Sequence, residues 1–144
     1  MIEHDTVRLL RECDAGIKMG VDSIDEVRDF VRSDELREAL THCKSSHEKL
    51  KDELQQALDR FGDDGKKPNP VAKGMSTVKT NLKLGINMSD ATVADLMTDG
   101  CNMGIKSLSK YLNEYKAADE KAKDITKKLI SQEEQLLQDV RPFL

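Results

Sequence analysis

Between Leu36 and Phe61 the inward-type positions of this chain alternate four and three residues apart: Leu36, Leu40, Cys43, His47, Leu50, Leu54, Ala57 and Phe61. That spacing places all eight side chains on one stripe of a single α-helix, the pattern of a helix packed lengthwise on other helices. A strand cannot use it, because its side chains alternate with a period of two. The stripe also carries a thiol and an imidazole, Cys43 and His47, into the centre of whatever the helix packs against.

Three further segments show the same rhythm. From Asp5 to Val31 the stripe is Leu10, Cys13, Ile17, Gly20, Ile24, Val27 and Val31, with Asp5 or Thr6 expected to cap the first turn. Arg32-Ser33-Asp34-Glu35 interrupts it, and Ser33 followed by two acids is a good helix start. The second helix is expected to close near Phe61-Gly62, where glycine can adopt the left-handed conformation. Ser89-Asp90 opens a third stripe of Val93, Met97, Cys101, Gly104, Leu108, Tyr111 and Tyr115. Asp119 opens the last, Ala122, Ile125, Leu129, Gln132, Leu136, Val140 and Phe143, which Pro142 ends.

The polar cluster from Asp63 to Pro70 is the clearest break in the chain, and Val71, Met75, Val78 and Leu82 beyond it keep helical spacing over a shorter run. Short hairpins at both ends and one long middle connection predict an all-α four-helix bundle. The second and third long helices are joined by a crossover carrying a short extra helix, and residues 1–144 form one domain. In that connectivity the second and third helices run parallel. His47 then lies level with Ile17 to Gly20, with Cys101 to Gly104, and with Leu129 to Glu133.

Composition narrows the function. The formal net charge is −4 and no long basic run offsets it, which argues against a nucleic-acid partner. No apolar stretch approaches the roughly 20 residues needed to span a bilayer, and the N-terminus resembles neither a signal nor a transit peptide, so a soluble cytoplasmic protein is expected. Cys13, Cys43 and Cys101 are an odd number without Cys-x-x-Cys spacing, the usage of reduced thiols.

The middle layer is unusual. Four of the eight glycines, Gly16, Gly20, Gly100 and Gly104, fall inside helices at a cost of about 1 kcal/mol each relative to alanine. Either they allow close helix contact, or together with Gln132 they line a core pocket for a ligand or water. His47 and Gln132 can satisfy one another there. Cys43 and His47, at i and i+4, also have acceptable ligand spacing, so Cys43, His47, Cys101 and Glu133 form a candidate metal set. Cys43 and His47 are in addition a formal nucleophile and base, though no third orienting group is legible. A reactive-thiol sensor would use Cys43 or Cys101.

Asp14-Ala15-Gly16-Ile17, His47-Glu48-Lys49-Leu50, the Gly/Pro crossover after Phe61 and Leu108-Ser109-Lys110-Tyr111-Leu112 together resemble bacterial ferritin-like proteins of unknown function, some of them stress-associated. The resemblance implies a ferritin-like bundle that often self-associates. The di-iron pattern needs Glu-x-x-His on two helices and a further Glu on each of the others. Here Lys44-Ser45-Ser46-His47 has lysine in the glutamate's place, and Glu133-Glu134-Gln135-Leu136 has the acid without the histidine. No standard di-iron centre is therefore expected.

The leading expectation is a non-enzymatic interaction or small-ligand-binding protein. The alternative is a metal-binding or redox protein using Cys43, His47 and Cys101. A homodimer is expected from apolar residues flanking the stripes: Leu9, Val21, Phe30, Leu84, Ile86, Met88, Leu112 and Leu137.

Overall fold

The computed structural model describes residues 2–66 and 87–144. They form four long helices, α1 (Ile2–Arg28), α2 (Asp34–Asp59), α3 (Asp90–Glu114) and α4 (Glu120–Val140), followed by a 3₁₀ turn, Arg141–Phe143. No strand occurs among the described residues. The short helix expected around Val71 to Leu82 lies outside them.

Side chains mark the helix starts as their sequence suggests. Ser33 Oγ accepts from Leu36 N (3.2 Å), Ser89 Oγ from Thr92 N (3.2 Å) and Asp119 Oδ1 from Ala122 N (2.8 Å). Each satisfies one amide that the first turn leaves free. Gly62, with φ +64°, follows the end of α2. Asp5 and Thr6 behave differently from expectation, because α1 begins earlier and both lie within it. They cap a neighbour instead: Asp5 Oδ2 accepts from Ala117 N (3.0 Å) and Thr6 Oγ1 from Asp119 N (2.8 Å), fixing the α3–α4 turn against α1.

The ends of the helices define the topology. Asp90, at the start of α3, accepts from Arg32 N and Ser33 N (2.8 and 3.0 Å), so α2 and α3 begin at the same end of the bundle. They therefore run parallel. Helix α1 packs on α2, α2 on α4, and α4 on α3, with lesser contact from α1 to α3 and α4.

The core divides into two apolar halves. One contains Ile24, Val27, Leu36, Leu40, Val93, Met97, Leu136 and Val140; the other contains Leu10, Ile17, Leu50, Leu54, Leu108, Ile125 and Leu129. Leu9 and Met88, expected as spare surface, are buried in these halves, and Val21, Phe30, Leu112 and Leu137 pack against them. Among the described residues the large apolar side chains left exposed are Met19, Met103 and Leu144.

Asp14 holds the segment after α2 onto the bundle. It is 1% exposed, and its Oδ2 accepts from Lys18 Nζ (2.6 Å) and from the backbone N of Lys66 (2.9 Å). Arg11 with Asp63 (3.1 Å) and Lys66 with Glu12 (2.6 Å) add ion pairs at the same place. Gly65 makes the approach possible: its φ is +89°, and a Cβ there would run into Asp14 Oδ2. Asp14→Ala is expected to lower the free energy of urea unfolding by about 2 kcal/mol through loss of charge-assisted hydrogen bonds. Gly65→Ala is expected to destabilise as well, whereas an unchanged urea midpoint in both variants would show that the segment is not held there.

Candidate functional site

Between the two apolar halves lies one polar layer, built on α2 and α4. His47 is fully buried there, with Nε2 3.1 Å from Glu133 Oε1 and Nδ1 3.7 Å from Cys43 Sγ. The first contact crosses from α2 to α4, and the second is an i, i+4 contact along α2. The imidazole is thus held at both edges, by a carboxylate on one side and a sulfur on the other.

The pairing corrects one expectation. His47 takes Glu133, not Gln132, as its partner. The two neighbours straddle the inward stripe of α4, since a 3.6-residue period counted from Leu129 falls between them. Glu133 points to the bundle centre, and Gln132 turns to the α2–α4 surface. Its Oε1 is buried there without a hydrogen-bond partner.

The glycines separate by what they face. A Cβ on Gly20 would stand 3.0 and 3.1 Å from His47 Cδ2 and Nε2, closer than side chains normally pack. Gly20 therefore exists to admit the imidazole. Gly104 faces Glu133, with a built Cβ 3.5 Å from Cδ, an ordinary contact, and Gly16 faces Leu129 at 3.7 Å. Gly100 is exposed and has nothing within 4 Å of that position, so Gly16, Gly20, Gly100, Gly104 and Gln132 do not converge on one core pocket.

The space near this layer is instead a half-open cleft of about 160 Å³ between α2 and α4. Ala39, His42, Cys43 and Ser46 line it from α2, and Ser131, Gln132, Gln135, Leu136 and Asp139 from α4. Cys43, 6% exposed, thus stands between the His47 ring and this cleft.

Cys43, His47, Cys101 and Glu133 do come together in one layer. Their arrangement is one of pairwise contacts: Cys43 and Glu133 address opposite nitrogens of the ring, and a single cation can be bound by only one of these. Among the described residues no group of three or more His, Cys, Asp or Glu side chains is disposed to hold a metal ion. No protein-family model, curated protein or solved structure matches this chain. The residues themselves must carry the functional argument.

Protonation distinguishes Cys13, Cys101 and His47. Burial opposes the charged form of His47, but its hydrogen bonds to Cys43 and Glu133 outweigh burial and lift its pKa from 6.5 to about 10. Burial pushes Cys13 up to about 12, despite the Thr126 hydroxyl 3.1 Å away. Burial, together with the Glu133 carboxylate, also raises Cys101. Thr126 donates its own proton to Ala122 O (2.8 Å), so Cys13 is the donor to Thr126. Its proton serves as a structural hydrogen bond.

Two outcomes are expected. Gly20→Ala should destabilise by about 1–3 kcal/mol, since the ring it would displace is fixed at both edges. Gly100→Ala should stabilise by about 0.5–1 kcal/mol through helix propensity alone. Thermal unfolding of both variants checks the contrast, and similar shifts of the same sign would contradict it.

The second outcome concerns pH. A His47 pKa of about 10 in the fold, against 6.5 when unfolded, means the folded chain keeps a proton that the unfolded chain releases. This contribution is complete below pH 6.5 and is lost as the pH rises towards 10. Unfolding free energy should therefore fall between about pH 6.5 and 8.5, by at most about 1.4 kcal/mol per pH unit. His47→Gln should flatten that decline in urea titrations. Above about pH 8.5 the raised thiols of Cys13 and Cys101 add a decline of the same sign.

Proposed function

We propose that this chain is a ferritin-like bundle without a di-iron centre that binds a small ligand in the cleft between α2 and α4. The observation that carries the reading is the unpartnered Gln132 Oε1, a buried acceptor in the wall of a half-open cleft. An unsatisfied buried acceptor costs on the order of 1–3 kcal/mol, which a bound donor would recover. The cleft's size suits a small molecule carrying an N–H or O–H group.

The ferritin-like part of the reading is supported by connectivity: two hairpins joined by one long connection, with α2 and α3 parallel. The donors of the middle layer argue against di-iron chemistry. His47 and Glu133 lie there with two thiols and two glycines, and paired iron ions require bridging carboxylates. The homodimer expected from spare apolar surface is not part of the proposal, since Leu9 and Met88 are consumed by the core.

Screening small amides, ureas and alcohols against ¹⁵N-labelled protein tests it. Shift changes should centre on Ala39, Ser46, Gln132 and Gln135, and Ala39→Trp should abolish them. The absence of any such response would overturn the reading. So would one zinc, iron or manganese per chain in protein purified without chelator or metal-affinity tag, if His47→Ala removed the metal.

A further inference from the structure

The order of contacts in the middle layer is sulfur, imidazole, carboxylate. Cys43 Sγ meets His47 Nδ1 at 3.7 Å, and His47 Nε2 meets Glu133 Oε1 at 3.1 Å. This supplies the third group that the Cys43–His47 pair lacks in the sequence. A thiol, an imidazolium within reach of it and a carboxylate that orients the ring form an arrangement that activates the sulfur. Packing fixes the ring further, since α1 brings Gly20 against its Nε2 edge.

Access separates Cys43 from the other thiols. Cys43 lines the α2–α4 cleft, while Cys13 is 0% exposed and its proton is committed to Thr126. Gln132, whose Oε1 lacks a partner, lines the same cleft. A molecule reacting at Cys43 thus finds a hydrogen-bond acceptor in the adjoining wall. The other ionisable groups nearby are Cys101 from α3, beside Glu133 and Cys43, and His42 and Asp139 in the lining of the cleft.

We propose that Cys43, His47 and Glu133 form a nucleophilic thiol site that captures α,β-unsaturated amides covalently at Cys43. The proposal rests on the reading of the cleft as a small-ligand site and names the chemical class of the ligand. A thiolate is a soft nucleophile suited to an electron-poor alkene carbon, and the amide N–H of such a molecule matches Gln132 Oε1.

The addition balances without any co-reactant. Below about pH 10 His47 is already an imidazolium, with Nε2–H donating to Glu133 and Nδ1–H facing Cys43 Sγ, so the Cys43 proton leaves to water. The sulfur pair forms the S–C bond at the β-carbon, and the alkene π pair moves to the α-carbon. That carbon takes the proton from Nδ1 and His47 regains one from water, so hydrogen and sulfur have added across the double bond. His47 is the proton donor to the α-carbon, and Glu133 is a positioning residue.

Acrylamide is the probe, with intact mass and peptide mapping as the readout. At pH 6.5 an ordinary thiol is only about 1% thiolate, so Cys43 in the folded chain should react about tenfold or more faster than Cys43 in the urea-unfolded chain. This comparison needs no variant and so survives any folding defect. Glu133→Gln should move the rising limb of the rate–pH profile upward by about one unit or more, and His47→Gln should abolish the low-pH limb.

Protection of Cys43 until urea is added would overturn the proposal, as would folded and unfolded profiles that coincide. Propionamide, the saturated analogue, separates the two readings. If it shifts the cleft amides while Cys43 stays inert to acrylamide, the covalent proposal fails and the small-ligand reading stands. If neither compound has an effect, both fail.

Discussion

A buried imidazole needs two polar partners, and much of the middle of the bundle follows from that need. His47 obtains Glu133 from the helix packed on its own and Cys43 from one turn before it. Removing one member of such a pair is costly, about 3–5 kcal/mol, because the other is left buried and unmatched. The pair also restricts its surroundings. Gly20 must lack a side chain because the ring occupies that space, and α4 must be rotated so that Glu133, not Gln132, points to the centre.

The same layer fixes register. Two apolar halves of similar composition would tolerate sliding by a turn, since a leucine displaced along a bundle meets another leucine. A single histidine that must meet a single glutamate does not tolerate it. Sliding α4 by one turn would leave an ionised carboxylate against aliphatic side chains, where burial without a partner is strongly unfavourable. The hydrogen bonds at the two ends, Asp90 to the α1–α2 turn and Thr6 to the start of α4, agree with the register that the pair demands.

The helices were legible because they depend on local chemistry. Ser33, Ser89 and Asp119 cap the helices that their sequence context predicts, and the stripe from Leu36 to Ala57 is buried throughout. Counting residues from the turns even placed His47 level with Gly20 and Glu133. What counting could not supply was rotation. Gln132 and Glu133 sit on either side of the stripe, and less than half a residue of helical phase decides which enters the core. Asp14 was missed for a related reason: an acid on the edge of an apolar stripe reads as solvated, and its burial depends on a segment that follows α2. The Lys18 four residues later, its eventual ion-pair partner, is the one local sign of it.

The three cysteines show how position in a bundle determines what a thiol can do. Cys13 faces the centre of one apolar half, where burial favours the neutral thiol and Thr126 accepts its hydrogen bond. Cys101 lies beside a carboxylate, and negative charge next to sulfur opposes thiolate formation. Cys43 has the carboxylate too, but with an imidazole interposed. That ordering gives the sulfur a different neighbour: at Cys101 it is the carboxylate itself, and at Cys43 it is the ring that the carboxylate holds. The distinction lies in the sequence of contacts, sulfur to ring to acid, and not in the burial of any one group.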